Sequence, residues 1–271
     1  MRFVEFLRCY FWPVAHVNLI WQLARREVLG RYRGSLLGLG WSFVSPLLML
    51  GVYTFVFVGV FKARWPGAES GGGVEFALQL MAGLMVFNLF AELASRAPHL
   101  VLEQPNLVKK VIFPLEVLPW VSVLAAGFHW LLNALVLCLA VLAVRGALPV
   151  SALALPLVIA AFLPFLLGLC WFLSALGVFV RDVNQMMLMV VSMGMFLSPV
   201  FYSSKALPEI LQGWMWLNPL VFVIESVRAV LLQGLWPDWW GLLVYAACAC
   251  GAALAGAGFF HLTRKGFADV L

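Results

Sequence analysis

Apolar residues run along this chain in six long blocks, and polar positions collect at the breaks between them. The first block, Gly38 to Phe61, carries no charge inside it and sits between Arg33 and Lys62. An α-helix rises 1.5 Å per residue, so about 20 apolar residues cross the hydrocarbon of a bilayer. The second block runs from about Phe76 to Ser95, with Glu92 near its end. The third, from about Val117 to Val144, stops at Arg145, and the fourth, from about Ala152 to Val180, stops at Arg181-Asp182. A fifth, Met186 to Tyr202, is short for a span and closes in Ser-Pro-Val-Phe-Tyr; the last runs from Trp239 to Leu262. The pattern predicts an all-α integral membrane protein of six transmembrane helices, one domain over residues 1–271.

Between the fifth and last blocks, Pro219 to Trp236 is apolar enough to span but contains Glu225 and Arg228. In a helix these two stand at i, i+3 on neighbouring positions of one face, where they can pair. Charge at the centre of a bilayer is costly, so the expectation is a re-entrant or interfacial hairpin over about 203–236. Turns at membrane depth survive where protein or water covers them.

Ahead of the first block, residues 17 to 33 alternate at helical period. Asn18, Gln22, Arg25, Arg26 and Arg33 share one face, while Val17, Ile20, Trp21, Ala24, Val28 and Tyr32 share the other; Leu29 and Arg31 break the pattern. A basic amphipathic helix beside a first span lies on the inner membrane surface, giving an interfacial helix over about 15–33. The alternative is a solvated run that only sets topology. The extreme N-terminus lacks the short apolar core and small-residue cleavage site of a secretory signal.

Charge sets the orientation. With six crossings, twelve of the seventeen lysines and arginines fall on the side of the N-terminus, the second-to-third loop, Arg181 and the C-terminal Arg264 and Lys265. Five fall on the other: Lys62, Arg64, Arg145, Lys205 and Arg228. Basic loops stay inside, so both termini are expected in the cytoplasm; a seventh crossing would move only two of the twelve. Composition agrees, at 64% hydrophobic, 11% charged and mean hydropathy +1.02, against about 25% charged in a water-soluble domain. The net charge of +5 belongs to the inner face and says little for nucleic acid.

Catalytic patterns are missing. The chain has no GxxxxGK[ST] phosphate loop, so an energy source, if there is one, belongs to another chain. Cys9, Cys138, Cys170, Cys248 and Cys250 include no CxxC, and His16, His99, His129 and His261 show no ligand spacing, so neither a metal nor a cofactor is expected here. Glu92 is open to two readings: a proton-relay carboxylate within a span, or an acid at the cytoplasmic rim that reaches water or a basic partner. In the last block Gly251, Ala252, Ala255, Gly256 and Gly258 have the spacing that lets helices approach closely, within one subunit or between two. Phe43, Pro46, Leu50, Tyr53, Phe57 and Phe61 fall in one sector of the first span. Aromatic residues there face lipid or belts at the interface, or line a passage that offers flat apolar surfaces to sugar rings.

The run LARREVLGRYRGSLLGLGWSFVSPLLMLGVYTFVF resembles the opening of the membrane subunits of type-2 ATP-binding-cassette exporters for bacterial surface polysaccharides. The resemblance lies in Arg26, Glu27, Arg31, Tyr32, Ser35, Leu37, Gly38, Trp41 and Pro46. It continues at Leu80-Met81-Ala82-Gly83-Leu84, from Glu103 to Pro119, at Phe179-Val180-Arg181-Asp182, and at Ser198-Pro199-Val200-Phe201-Tyr202. Leu217-Asn218-Pro219 and Lys265-Gly266-Phe267-Ala268-Asp269 complete it, nearly end to end. Two departures are Val86-Phe87-Asn88, where the family often has Pro-Trp before the Asn, and Gln104-Pro105, where it has a plainer helical stretch.

The resemblance implies a bacterial inner-membrane permease that catalyses no reaction. It would pair with a second copy of itself and with two ATPase subunits, which hold the ATP and magnesium. Periplasmic export partners, membrane lipid and the polysaccharide complete the expected partners, with no nucleic acid. A coupling loop over 96–115 and the interfacial helix would meet the ATPase through Arg25, Arg26, Arg31, Glu103, Asn106, Lys109 and Lys110. The segment from Ser203 to Trp236 would cap the outer mouth, with Glu225 and Arg228 paired. Phe43, Tyr53, Phe57, Phe87, Phe201 and Tyr202 are the candidate lining of the channel. The substrate is expected to be a glycan, capsule, O-antigen or teichoic acid alike, carried on a lipid. The rivals are a type-2 exporter of drugs, haem or lipid; a membrane-embedded transferase, which would need clustered acids or histidines at one membrane face; and a structural membrane scaffold or channel, which would need no ATPase.

Overall fold

The computed structural model describes residues 10–11, 13, 16–60, 65, 72–104, 113–215 and 217–270. These residues are helical throughout, joined by turns, with no strand among them. Five helical stretches are long and apolar enough to cross a membrane: Gly38–Phe57, Gly73–His99, Leu115–Arg145, Val150–Phe179 and Trp239–Gly266.

Helix α1 spans Val17–Arg31. Its buried stripe is narrower than expected. Ile20 and Ala24 pack on Val117 and Val121, whereas Trp21 is 65% exposed and Val17 53%. Gly34 at φ +85° and Gly38 at φ +53° turn the chain into the first span, a conformation that costs glycine little.

The first span is not one uniform helix. After a 3₁₀ turn at Gly38–Gly40, helix α2 covers Trp41–Tyr53 with Pro46 inside it, and then continues as a π-helical segment, Thr54–Val60. Thr54 Oγ1 donates back to the Leu50 carbonyl at 2.7 Å, a local bond that competes with the regular ladder and bends helices. Phe61, which would have closed the predicted aromatic sector, lies outside the described residues.

Helix α3, Gly72–Arg96, is the centre of the bundle. The apolar part of α3 is 72% buried, against 6% for the first span. Helix α4, Leu118–Arg145, ends at Gly146, whose φ of +74° caps it with a bond to the Leu142 carbonyl. Helix α5, Leu155–Phe179, and the last span, described below as α9, form the tightest pair. A Cβ on Gly256 would lie 2.1 Å from the Gly168 carbonyl oxygen, and one on Gly168 2.6 Å from that of Ala252. Of the small residues in the last span, Gly256 therefore makes an intramolecular contact, while Gly251 and Gly258 face open space.

Helix α6 covers Val183–Leu197, about 22 Å at 1.5 Å per residue. It begins three residues before the predicted limit and ends five before it, because Ser198 adopts an extended backbone and the following Pro199 cannot donate to the ladder. Two short helices follow: α7, Glu209–Met215, and α8, Pro219–Arg228, prolonged by a π segment, Ala229–Gln233. Asn218 caps α8, its Oδ1 accepting from the Leu220 N–H at 2.9 Å, with Pro219 in the first turn. Asp238 does the same for α9, Trp239–Thr263. The short α10, Phe267–Val270, seals the end that carries α1, with Phe267 fully buried against Phe179 and Phe260.

Candidate conduit and coupling surface

Polar side chains inside apolar spans converge on one cavity. Asn88 and Glu92 stand at i, i+4 on α3, and His129 and Asn133 at i, i+4 on α4. That spacing puts each pair on one face. Between them and α2 lies a cavity of about 380 Å³ that these four residues line together with Arg31, Tyr32, Trp41, Ser45 and Tyr53. Arg31 NH2 donates to Glu92 Oε1 at 2.5 Å, and His129 Nδ1 lies 3.6 Å from the same oxygen. The Tyr32 ring meets His129 edge-on at 5.9 Å. Glu92 thus has a basic partner at the rim of the bundle. The spacing of the polar pairs was visible in the sequence; that both pairs faced one cavity was not.

From Tyr53 a row of rings leads away from α1. Tyr53 and Phe57 lie 6.5 Å apart between centroids, Phe57 and Phe201 6.2 Å, and Phe201 stacks on Phe196 at 5.8 Å. Phe57 also meets Phe76 at 5.3 Å. The row joins the first span to the loop after α6 and ends beside an α6 surface on which Met189, Met193 and Phe196 are all more than half exposed. Phe43 is 40% exposed on α2. Phe87 is placed differently: it is 2% exposed and lies behind the lining, against Phe90 and beside Gly194. Tyr202 is half-buried, and its hydroxyl donates to the Phe196 carbonyl.

At the other end of that row, Arg228 is completely buried. Its NH2 donates to the Val200 carbonyl at 2.8 Å, Nε to Gln79 O at 3.1 Å, and NH1 to Tyr202 O at 3.3 Å. The bond from NH1 to Glu225 Oε1, at 3.4 Å, is the longest of the set, and the guanidinium lies 4.6 Å from the Trp65 ring centre. The pair expected from sequence is present, yet three of the four described acceptors of the guanidinium are backbone carbonyls. A planar five-donor fork suits this set and an ammonium would not. Gly83 explains itself here: its Cβ would fall 2.9 Å from Arg228 NH2 and 3.2 Å from Val200 Cα.

A second staple lies nearby. Arg145 donates to Glu75 at 2.5 Å and to the Leu232 carbonyl in the π segment, while Ser151 Oγ donates to Val230 O at 2.7 Å. These bonds take up carbonyls that a π turn leaves unpaired.

The α1 end presents a different surface. Arg25, Arg26 and Arg33 are exposed, and with Gln22, Leu29 and Gly30 they border an open groove of about 470 Å³. Arg31 turns inward to Glu92. Glu27 pairs with Arg96; burial raises its carboxyl above the ordinary range, against the pull of Arg96 and Arg31. Glu103 is exposed, and Asn106, Lys109 and Lys110 lie outside the described residues. Near the chain's end Arg264 reaches Glu116 at 2.9 Å.

Several residues of the run that opens the first span have defined partners in the fold. Glu27 and Arg31 take partners on α3, Ser35 Oγ accepts the Gly38 N–H at 3.0 Å, and Trp41 and Pro46 line the cavity.

Comparison with known proteins gives the same direction. The chain is similar to three proteins described as O-antigen export system permease protein RfbA. One from Myxococcus xanthus is 29% identical over 255 residues, 93% of this chain and 95% of the relative. Two from Klebsiella pneumoniae are 26% and 25% identical, each over 94% of this chain and 95% of the relative. The pattern of the ABC-2 type transporter family matches residues 18–232. With five apolar helices of spanning length and that match over most of its length, the chain is a multi-pass membrane protein and belongs to the ABC-2 type transporter family.

Proposed function

We propose that this protein is the permease subunit of an ATP-driven exporter that moves a lipid-linked bacterial surface polysaccharide out of the cytoplasm. The observation that carries this reading is the continuity of the polar cavity at Arg31, Glu92, Asn88 and Asn133 with the row Tyr53, Phe57, Phe201 and Phe196. Amides and charged groups hydrogen-bond sugar hydroxyls, and aromatic faces meet the C–H faces of the rings. Together they can guide a polymer without holding any one unit tightly. The relatives, described as O-antigen export permeases, make O-antigen the first candidate among glycans.

The exposed apolar faces of α2 and α6 favour a second copy across the passage, so that two subunits enclose one conduit. Six crossings are proposed, α6 being the short one. Both termini are proposed on the cytoplasmic side, with the hairpin entering from the other. Arg228 supports a re-entrant hairpin: its partner Gln79 lies seven residues inside α3, about 10 Å below that helix's start. The exposed basic groove on α1 and the loop through Glu103 to Lys110 are proposed to receive two ATPase subunits. ATP and magnesium belong to those chains, and closure of the ATPase pair would move α1 and, through Arg31 and Glu92, the wall of the cavity. Envelope partners in the periplasm would extend the path.

The test is genetic and biochemical. Deleting the gene should leave lipid-linked glycan inside the cell, and Tyr53→Ala with Phe57→Ala should slow export while the complex still assembles. Normal surface glycan in the deletion strain would refute the proposal.

A further inference from the structure

A second cavity, of about 370 Å³, lies at the hairpin end on the side of α8 that faces away from α3. Helix α8 divides its surfaces sharply. Leu220, Val223, Ile224, Val227 and Arg228 are buried in the bundle, while Val221, Phe222, Glu225, Ser226 and Ala229 line this cavity at i, i+1, i+4, i+5, i+8 spacing. Gln212 and Met215 of α7 close one side, and Trp236, Pro237 and Asp238 the other. Nothing in the conduit described above uses it.

Its described lining is acidic and apolar, with Arg228 reaching Glu225 from the bundle side. Among the described lining residues none is a lysine or arginine, and two are carboxylates. Among the described residues Glu225 accepts from the Ser204 N–H and from Arg228 through Oε1, with no donor on Oε2. Asp238 accepts from the Trp240 N–H through Oδ1, with no described donor on Oδ2. Gln212 Nε2 donates to the Leu207 carbonyl at 2.7 Å and Asn218 Nδ2 to Ser198 Oγ at 2.9 Å. The remaining wall is largely carbon, from Val221, Phe222, Met215 and Trp236. Such a site favours a cationic donor on an apolar body, and an indole face adds to the attraction for an ammonium.

Position narrows the occupant. Trp236 lines the cavity and, like Trp239 and Trp240 just after it in the chain, is well exposed, at 55%, 48% and 76% respectively, and tryptophan gathers at the headgroup level of a membrane. Trp214 and Leu217, beside the hairpin turn, are also largely exposed and apolar. We infer that this cavity is a binding site for a membrane lipid with a primary-amine headgroup, of the phosphatidylethanolamine kind. The ammonium sits between Glu225 and Asp238, and an acyl chain lies along Phe222 and Met215. The inference goes beyond the export reading and rests on it only for the leaflet, which is the outer one. A lipid held there would brace the hairpin from behind, opposite the Arg228 clamp.

The experiment is native mass spectrometry of the full chain in detergent, with phosphatidylethanolamine or phosphatidylglycerol of identical acyl chains added. The amine lipid should be retained about tenfold better, the equivalent of one charge-assisted contact. Asp238→Asn, which keeps the helix cap, should remove most of that preference, and Ala229→Trp, which fills the space, should abolish retention. If Ala229→Trp does not fold, the lipid comparison with Asp238→Asn decides. Equal retention of both lipids would overturn the site, as would an unchanged preference in Asp238→Asn. Displacement by free phosphoethanolamine or by a glycan fragment would overturn its assignment to a lipid. No readout involves ATP or export, so this inference and the export proposal stand or fall separately.

Discussion

Arg31, the last residue of α1, donates to Glu92 near the end of α3 at 2.5 Å, across 61 positions of sequence. The contact ties α1 to the wall of the polar cavity. Both side chains are partly exposed, and such pairs contribute about 1 kcal/mol or less to stability. Its value is therefore expected in coupling. Glu92→Gln and Arg31→Gln should each reduce ATP-driven export severalfold with little change in thermal stability, and Arg31→Glu with Glu92→Arg should recover part of the loss. Export assays beside thermal melts check this; equal losses in the singles and the swap would argue against a direct link.

Arg228→Met should destabilise the fold strongly. It leaves the carbonyls of Gln79, Val200 and Tyr202 without their buried donor, at about 1–3 kcal/mol for each group left unsatisfied. Arg228→Lys should recover only part, because a point charge cannot serve three separated carbonyls. Glu225→Gln should be milder, since it touches the longest of the four bonds. The unfolding midpoint of the purified chain in detergent is the measure.

Gly256→Val should prevent stable folding, because the added Cβ would meet the Gly168 backbone at 2.1 Å and neither backbone can withdraw cheaply. Gly251→Ala, five residues earlier on the same helix, meets nothing within 4 Å and should be neutral to slightly stabilising in the subunit. Yield and thermal midpoint of the two variants separate the cases.

Much of this arrangement was legible in the residues. Five helices of spanning length follow from hydrophobic blocks, and the Glu225–Arg228 pair from its i, i+3 spacing. What escaped was long-range. Arg31 looked like a flaw in an amphipathic pattern because its partner lies on another helix. Arg228 read as half of a local ion pair, since carbonyl acceptors carry no sequence signature. Phe87 belongs to an apolar span on every side, so its burial behind the lining could not be told from exposure to a channel. The π segments depend on local backbone competition, seen at Thr54, that block hydrophobicity does not register.

Topology is testable by labelling. In a background with the five native cysteines replaced, Ser203→Cys should react with an impermeant maleimide from the periplasmic side. Thr263→Cys should react only after the cytoplasmic side is opened. The reverse pattern would invert the proposed orientation, and labelling of both from one side would remove a crossing.

Transport itself gives the most direct test. Inverted inner-membrane vesicles containing this permease and its ATPase partner, loaded outside with lipid-linked polysaccharide, should accumulate the glycan in their lumen when ATP and magnesium are added. The account predicts uptake that stops without ATP and falls severalfold with Tyr53→Ala and Phe57→Ala. Uptake that proceeds equally in vesicles lacking the permease would contradict it.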